Sequence, residues 1–197
     1  MLKNQSKKKP IVSIILNCFN GEKYLYESLK SVENQAYKNW ELVFWDNKST
    51  DNSKGIFKSF LHKKFRYFMS QKHTSLYEAR NLAIQKAKGQ FIAFIDSDDI
   101  WNKDKLKLQM KHFEDKEVAV VYGNLWLKKE SLNEKKKHIT YKIPDGYIHS
   151  NLINNYYVGI LSSVIRRNCL GKSKKIFNDK YNIIGDYDLF LRLSKLY

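Results

Sequence analysis

The chain has 197 residues, enough for one domain with a sizeable core, and its 43% hydrophobic and 28% charged residues argue against a disordered chain. No apolar run approaches the roughly 18–20 residues of a membrane span, and Cys18 and Cys169 alone make neither a disulfide framework nor a metal-ligand spacing. The net charge of +16 is the outlying quantity, and it favours anionic partners: nucleic acid, an acidic membrane surface or phosphate-bearing substrates.

Lysines 7–9 precede the apolar run 11–16, but that run is short, contains Ser13 and meets Asn17 without a small-residue cleavage site, so it does not read as a signal peptide. It reads instead as a buried strand, broken by Asn17, Asn20 and Gly21. Tyr24, Leu25, Leu29 and Val32 then recur at helical spacing through about Gln35. Residues 41–45 form a second strand ending at Asp46. Ser49, Thr50 and Asp51 supply helix-start chemistry ahead of Ile56, Phe57 and Phe60. A third strand spans 65–69. Ser75 and Glu78 make a capping box that opens a helix through Leu76, Ala79, Ala83 and Ala87, closed by Gly89. The fourth strand, 91–95, is apolar throughout, as expected when both faces are covered. Asp96 follows it, then a helix marked by Leu106, Met110 and Phe113.

Strands and helices alternating in this way predict a parallel α/β sheet with right-handed crossovers. The second half is less regular, with expected strands at 118–122, 125–128, 138–143 and 161–165. A charged stretch, 128–137, separates the second of these from the third. A final helix is predicted over 186–197, with Leu189, Phe190, Leu193 and Leu196 on one stripe. Neither a repeat nor a linker divides the chain. One domain is expected, in two halves, 10–114 and 115–197.

Ligands of open α/β sheets bind beyond the carboxyl ends of the strands. Three predicted strands end there in polar residues: Asn17-Cys18-Phe19-Asn20, Asp46-Asn47 and Asp96-Ser97-Asp98-Asp99. Three carboxylates within four residues repel one another. A hard divalent cation, Mg²⁺ or Mn²⁺, compensates them with oxygen ligands; the alternative is a solvated loop whose Asp98 or Asp99 caps the next helix. Asp46 could hold a ribose hydroxyl in a dinucleotide fold, but Asn17–Gly21 lacks the glycine fingerprint that fold requires. Asp46 is therefore expected to accept from a base N–H or a ribose hydroxyl, or to be a turn residue.

Residues 12–21 (VSIILNCFNG) resemble the opening of the family 2 glycosyltransferases of the GT-A fold. Trp45-Asp46-Asn47-Lys48-Ser49-Thr50-Asp51 is similar to that family's second motif. Residues 79–84 and 89–99 resemble the approach to its metal motif, and 185–193 resemble the segment that carries its catalytic base. The resemblance is close over about 10–114 and looser at 185–193. It implies a Rossmann-like, mostly parallel sheet flanked by helices, and an inverting single displacement from a nucleotide-sugar donor, UDP-linked by preference. Carried over by position, it implies that Phe19 stacks on the base beside Asn17, Asp46 hydrogen-bonds the base and Arg80 supports the donor pocket. It further implies that Asp96 approaches the ribose, Asp98 ligates the cation and Asp186 is the general base, which leaves Asp99 to start the next helix.

The resemblance has departures. Asn47 and Lys48 replace an acid and a glycine, and Gly185 stands where a glutamate often precedes the base, which leaves Asp188 as the other candidate. From spacing alone Asp186 could equally be a helix N-cap and Asp188 a first-turn acid. All five histidines precede Asp186. The chain stops within the predicted last helix, so another element completes the metal or phosphate shell or the acceptor side is truncated. The rival readings are a metal-dependent nucleotidyltransferase, for which Asn20-Gly21-Glu22-Lys23 is a poor phosphate loop, and a non-catalytic basic module. The lysines are scattered without a recognition helix, so nucleic acid is not expected. The expected partners are a nucleotide-sugar donor, a glycan or lipid-linked saccharide acceptor, and an anionic membrane surface touched peripherally from a cytoplasmic location.

Overall fold

The computed structural model describes residues 11–129 and 134–197. The chain runs β1 (Val12–Cys18), α1 (Leu25–Glu33), β2 (Trp40–Asp46), α2 (Ser53–Ser59), β3 (Phe65–Met69), α3 (Leu76–Ile84), β4 (Phe91–Asp96) and α4 (Lys105–His112). There follow β5 (Val120–Val121), β6 (Trp126–Lys129), β7 (Glu134–Lys137), α5 (His149–Asn154), β8 (Val164–Arg166) and α6 (Gly185–Ser194), with short 3₁₀ turns on either side of β8.

The main sheet has six strands in the order β3-β2-β1-β4-β8-β5. β1 lies at its centre, paired in parallel with β2 and β4, and β2 pairs in parallel with β3. β8 joins antiparallel to both β4 and β5, so β5 points the same way as β4. This is the mostly parallel α/β sheet flanked by helices expected from the sequence.

Every residue of β1 is buried. Alternate side chains of a strand point to opposite faces, and the two faces of this sheet carry two separate cores. Ile14 and Leu16 pack with Leu25, Leu29 and Val32 of α1, Phe57 of α2 and Leu106 and Met110 of α4. Ile15, Val43 and Phe94 pack on the other side with Ala79 and Ala83 of α3, Leu189, Phe190 and Leu193 of α6, and Phe177. The apolar stripes of α1, α3, α4 and α6 read from the sequence largely coincide with the faces that these helices bury, except that Leu76 is exposed at the start of α3 and Leu196 is exposed beyond the end of α6. Ser75 is the N-cap of α3 as expected: the Glu78 N–H donates to its hydroxyl oxygen at 3.3 Å.

The second half departs from expectation. The partner of β6 is the lysine-rich β7, Glu134–Lys137, and not 138–143; β6 and β7 form their own two-stranded sheet. Helix α5 lies in a segment for which no element was expected. Of the expected strand 161–165 only Val164 and Ile165 join the sheet, as part of β8, because Ile160–Ser162 is a 3₁₀ turn. The last helix ends at Ser194, before the final residues. No helix of the described residues is long and apolar enough to cross a membrane.

Candidate active site

The carboxyl ends of β1, β2 and β4 lie side by side because the register places Asn17 next to Asp96 and Cys18 next to Asp46. Neighbouring strands stand about 4.8 Å apart, so three polar turns from distant parts of the sequence form one edge. The loops behind them are stitched together by polar contacts. Asn20 adopts a left-handed φ of 52°, which asparagine tolerates better than most residues. Its side-chain oxygen accepts from Thr50 N–H at 2.8 Å, while its own N–H donates to Ser49 Oγ at 3.1 Å. Gly21 is required for close approach: a Cβ there would lie 2.8 Å from Cys18 Sγ and 2.9 Å from Ser97 Oγ, so this glycine lets the β1 loop lie against the acidic turn.

A cleft of about 310 Å³ opens on this edge, lined by Asn17, Cys18, Phe19, Asn47 and the segment 73–76. Phe19 is half-exposed and its ring centroid lies 4.1 Å from that of His73. The Asn47 side chain is buried and clamps the β3–α3 loop, accepting from Thr74 N–H and Oγ1 and donating to Thr74 O at 2.8 Å. Asn17 Nδ2 is buried without a partner among the described residues. His73 and Thr74 were not singled out in the sequence. Their signal was the end of the third strand, a fourth polar turn on the same edge.

Asp46 is placed differently from the expectation that it contacts a base. It is 1% exposed, outside the cleft lining, and its oxygens accept from Ser49 N–H at 2.7 Å and Tyr67 Oη at 2.6 Å. Burial and the adjacent Asp46 carboxylate push the Tyr67 hydroxyl well above its ordinary pKa, so it remains a donor. In this conformation Asp46 shapes the turn that carries Asn47 into the cleft wall.

The acidic turn is held from beneath by a buried polar row, Ser28 and Ser31 of α1 and Gln35 just past its C-cap. Ser28 Oγ donates to Asp96 O at 3.0 Å, Ser31 Oγ accepts from Trp101 N–H at 3.1 Å, and Gln35 bonds Asn102 O and Leu106 N–H. These polar groups satisfy the backbone of a turn that has no regular ladder. Helix α4 begins at Lys105 behind Asp104, so neither Asp98 nor Asp99 caps or starts it. Asp98 is exposed. Asp99 has one buried oxygen without a partner, and burial plus the charges of Asp96 and Asp98 push its carboxyl up to about 6. Among the described residues no three His, Cys, Asp or Glu side chains converge to hold a metal by themselves. A cation at this turn would have to take most of its oxygens from a ligand and water.

Arg80 proves to be buried, not a surface residue: it is 3% exposed and donates to Asp96 Oδ1 at 2.9 Å. One turn earlier on α3, Tyr77 Oη donates to Ile183 O at 2.7 Å and lies 3.3 Å from Asp186 Oδ1. Tyr156 donates to the other oxygen of Asp186 at 2.8 Å. Helix α3 thus ties the acidic turn to Asp186, which is separated from Tyr77 by more than a hundred residues of sequence. Asp186 is the second residue of α6 behind Ile184, so it is not the N-cap. Asp188 is engaged elsewhere, accepting from Arg192 Nε at 3.0 Å. Gly185 packs flat on the Tyr77 ring, where a Cβ would lie 2.7 Å from ring carbons. The tyrosines gave no sequence signal, because nothing local marks them as neighbours of an acid so far along the chain.

Known proteins share this architecture. The structure of S. aureus TarS 1–349 in complex with UDP-GlcNAc superposes with a TM-score of 0.73 at 22% identity, covering 93% of this chain and 52% of that one. The mannosyltransferase PcManGT from Pyrobaculum calidifontis, solved with GDP-Man and Mn²⁺, gives 0.70 at 17% identity, covering 95% and 52%. In sequence, the chain is 32% identical over 185 residues to the Escherichia coli UDP-Glc:alpha-D-GlcNAc-diphosphoundecaprenol beta-1,3-glucosyltransferase WfgD, covering 94% of this chain and 70% of that protein. It is also 32% identical over 120 residues to the E. coli enzyme of the same description, WfaP, covering 61% of this chain and 48% of that protein. The chain thus spans about half the length of WfaP and of the solved chains. The family model for glycosyl transferase family 2 matches residues 13–184. With that span matched, and with the sheet and its polar edge in place, the chain belongs to glycosyl transferase family 2.

Proposed function

We propose that the chain is the catalytic domain of a glycosyltransferase that moves a sugar from a nucleotide-sugar donor, UDP-linked by preference, to a hydroxyl of a lipid-linked saccharide or cell-surface glycan at the cytoplasmic face of a membrane. The observation that carries this reading is the pairing of a cleft built for a flat ring with an acidic turn, both on one sheet edge and both braced by the helix that holds Asp186. The nucleotide base would stack on the exposed face of Phe19, whose ring is backed by His73, with the orphaned amide of Asn17 as a donor to it. Asp96, oriented by Arg80, would meet the ribose, and Asp98 would hold an Mn²⁺ or Mg²⁺ ion against the diphosphate. A cation there supplies charge neutralisation for the departing diphosphate.

Residues 10–114 would bind the donor and 115–197 would present the acceptor. The acceptor hydroxyl attacks the anomeric carbon from the face opposite the leaving group, in a single displacement that inverts the centre. The bond between that carbon and the phosphate oxygen breaks, the nucleoside diphosphate leaves with the electron pair, and the hydroxyl proton passes to Asp186. The two tyrosine hydroxyls fix the carboxylate, which retains lone pairs for that proton.

The test is a thermal-shift panel of nucleoside diphosphates and nucleotide sugars with and without Mn²⁺. A metal-dependent stabilisation by one nucleotide sugar is expected, and Asp98→Ala should abolish its metal-dependent part. A flat response from the wild type would overturn the reading, and release of pyrophosphate instead of nucleoside diphosphate would assign nucleotidyl transfer.

A further inference from the structure

The β6–β7 ribbon is exposed on both faces along all of its described residues. A two-stranded ribbon that buries neither face is marginal by itself. Its register makes matters worse: Lys128 lies directly across from Lys135, on the same face as the Trp126–Lys137 pair, and among the described residues of the ribbon that face carries no acid. Like charges placed opposite one another destabilise a ribbon, so an external counter-charge is called for. Trp126 is 64% exposed with Lys137 Nζ 5.8 Å from its ring, whereas Trp40, Trp45 and Trp101 are 3%, 7% and 7% exposed. The base of the ribbon is anchored: Asn124 Nδ2 donates to Ile139 O at 2.6 Å, its Oδ1 accepts from Ile139 N–H at 3.1 Å, and Ile139 is part of the core. Because β5 points the same way as β4, the chain leaves β5 for the ribbon at the sheet edge that carries the acidic turn.

We propose that the β6–β7 ribbon is a membrane-docking element for anionic phospholipid, with the Trp126 indole at headgroup level and Lys128, Lys135 and Lys137, on the same face, against lipid phosphates. An amphipathic indole favours that depth, and lysines act as point charges on a phosphate surface without the bidentate arginines of base readout. Docking here would bring the sheet edge of the candidate site towards the bilayer; that orientation rests on the lipid-linked acceptor of the proposed function, whereas the docking itself does not.

The experiment uses the full chain with vesicles rich in phosphatidylglycerol and, separately, of phosphatidylcholine alone. Because Trp126 is the exposed indole among four, binding to anionic vesicles should shift tryptophan emission to the blue and protect it from acrylamide, and Trp126→Ala should remove both changes. The Lys128→Gln/Lys135→Gln/Lys137→Gln variant should lose about fivefold in partitioning per lysine removed, while keeping the nucleotide-sugar thermal shift of the wild type. No preference for anionic lipid, or undiminished vesicle binding by the lysine variant, would overturn the proposal. So would binding of RNA or DNA in place of vesicles. Vesicle binding with a flat nucleotide-sugar response would instead sink the transferase reading and leave the ribbon's role standing.

Discussion

Asp186 sits between two hydroxyls that hold it in one orientation, Tyr156 on Oδ2 and Tyr77 near Oδ1. Burial and the Asp186 charge push the Tyr156 hydroxyl far above its ordinary pKa, so it donates at every physiological pH. If Asp186 is the base, Asp186→Asn should leave the donor thermal shift intact and lower transfer by about 10² to 10⁴, as removal of a general base does. Tyr156→Phe tests positioning separately. Its expected signature is a fall of about tenfold in kcat with an unchanged donor dissociation constant; a change confined to donor affinity would place Tyr156 in binding instead. Neither tyrosine was legible in the sequence, since a hydroxyl that serves an acid across 30 or 109 positions leaves no local pattern.

Helix α3 does three jobs with neighbouring residues: Tyr77 reaches Asp186, Arg80 reaches Asp96, and buried Asn81 accepts from the backbone N–H groups of Ile176 and Phe177. The i, i+3 spacing of Tyr77 and Arg80 places them on one face of the helix, and the Arg80 guanidinium lies 5.7 Å from the centre of the Tyr77 ring. The close seat of α6 on this helix depends on Gly185. Gly185→Ala would drive a methyl into the Tyr77 ring, and overpacking of this kind costs about 1–3 kcal/mol. A lower urea midpoint with an unchanged m-value is expected, together with weakened transfer if the base is displaced. A midpoint equal to wild type would show that α6 can shift freely. The N-cap and apolar stripe of α3 were readable; its polar commitments were not.

Across the whole molecule, Glu41 of β2 joins three strands and the turn before β4. It accepts from Ser13 Oγ at 2.7 Å, Lys88 N–H at 2.6 Å and Arg66 at 2.6 Å. Burial alone would raise its carboxyl, but these donors together hold it below its ordinary value. The unfolded chain then takes up the proton first as pH falls. The contribution of Glu41 is therefore present at neutral pH and is lost as pH drops below about 4.3, the ordinary glutamate value. Glu41→Gln should lower stability by about 1–2 kcal/mol at pH 7, with the gap to wild type closing in acid; a gap independent of pH would remove the charge from the explanation.

Much of the first half was determined by the sequence alone. Continuous apolar strands alternating with helical stripes have few arrangements open to them, and a parallel sheet necessarily brings the ends of its strands to one edge. That argument placed Asn17, Phe19, Asp96 and Asp98 on a common edge before any coordinates. The tertiary structure decided what periodicity cannot carry. The β7 strand is a run of exposed lysines with no apolar alternation, so only pairing with β6 reveals it. The three-residue β8 is a strand because β4 and β5 offer it ladders on both sides. Asp46 turned inward because Tyr67, on the neighbouring strand, supplied a partly buried hydroxyl, and Arg80 went to the interior because Asp96 stood within reach. Local pattern selects which elements form; the partners of a buried polar group are chosen by whatever the fold brings within hydrogen-bonding distance, and that is a property of the packed chain.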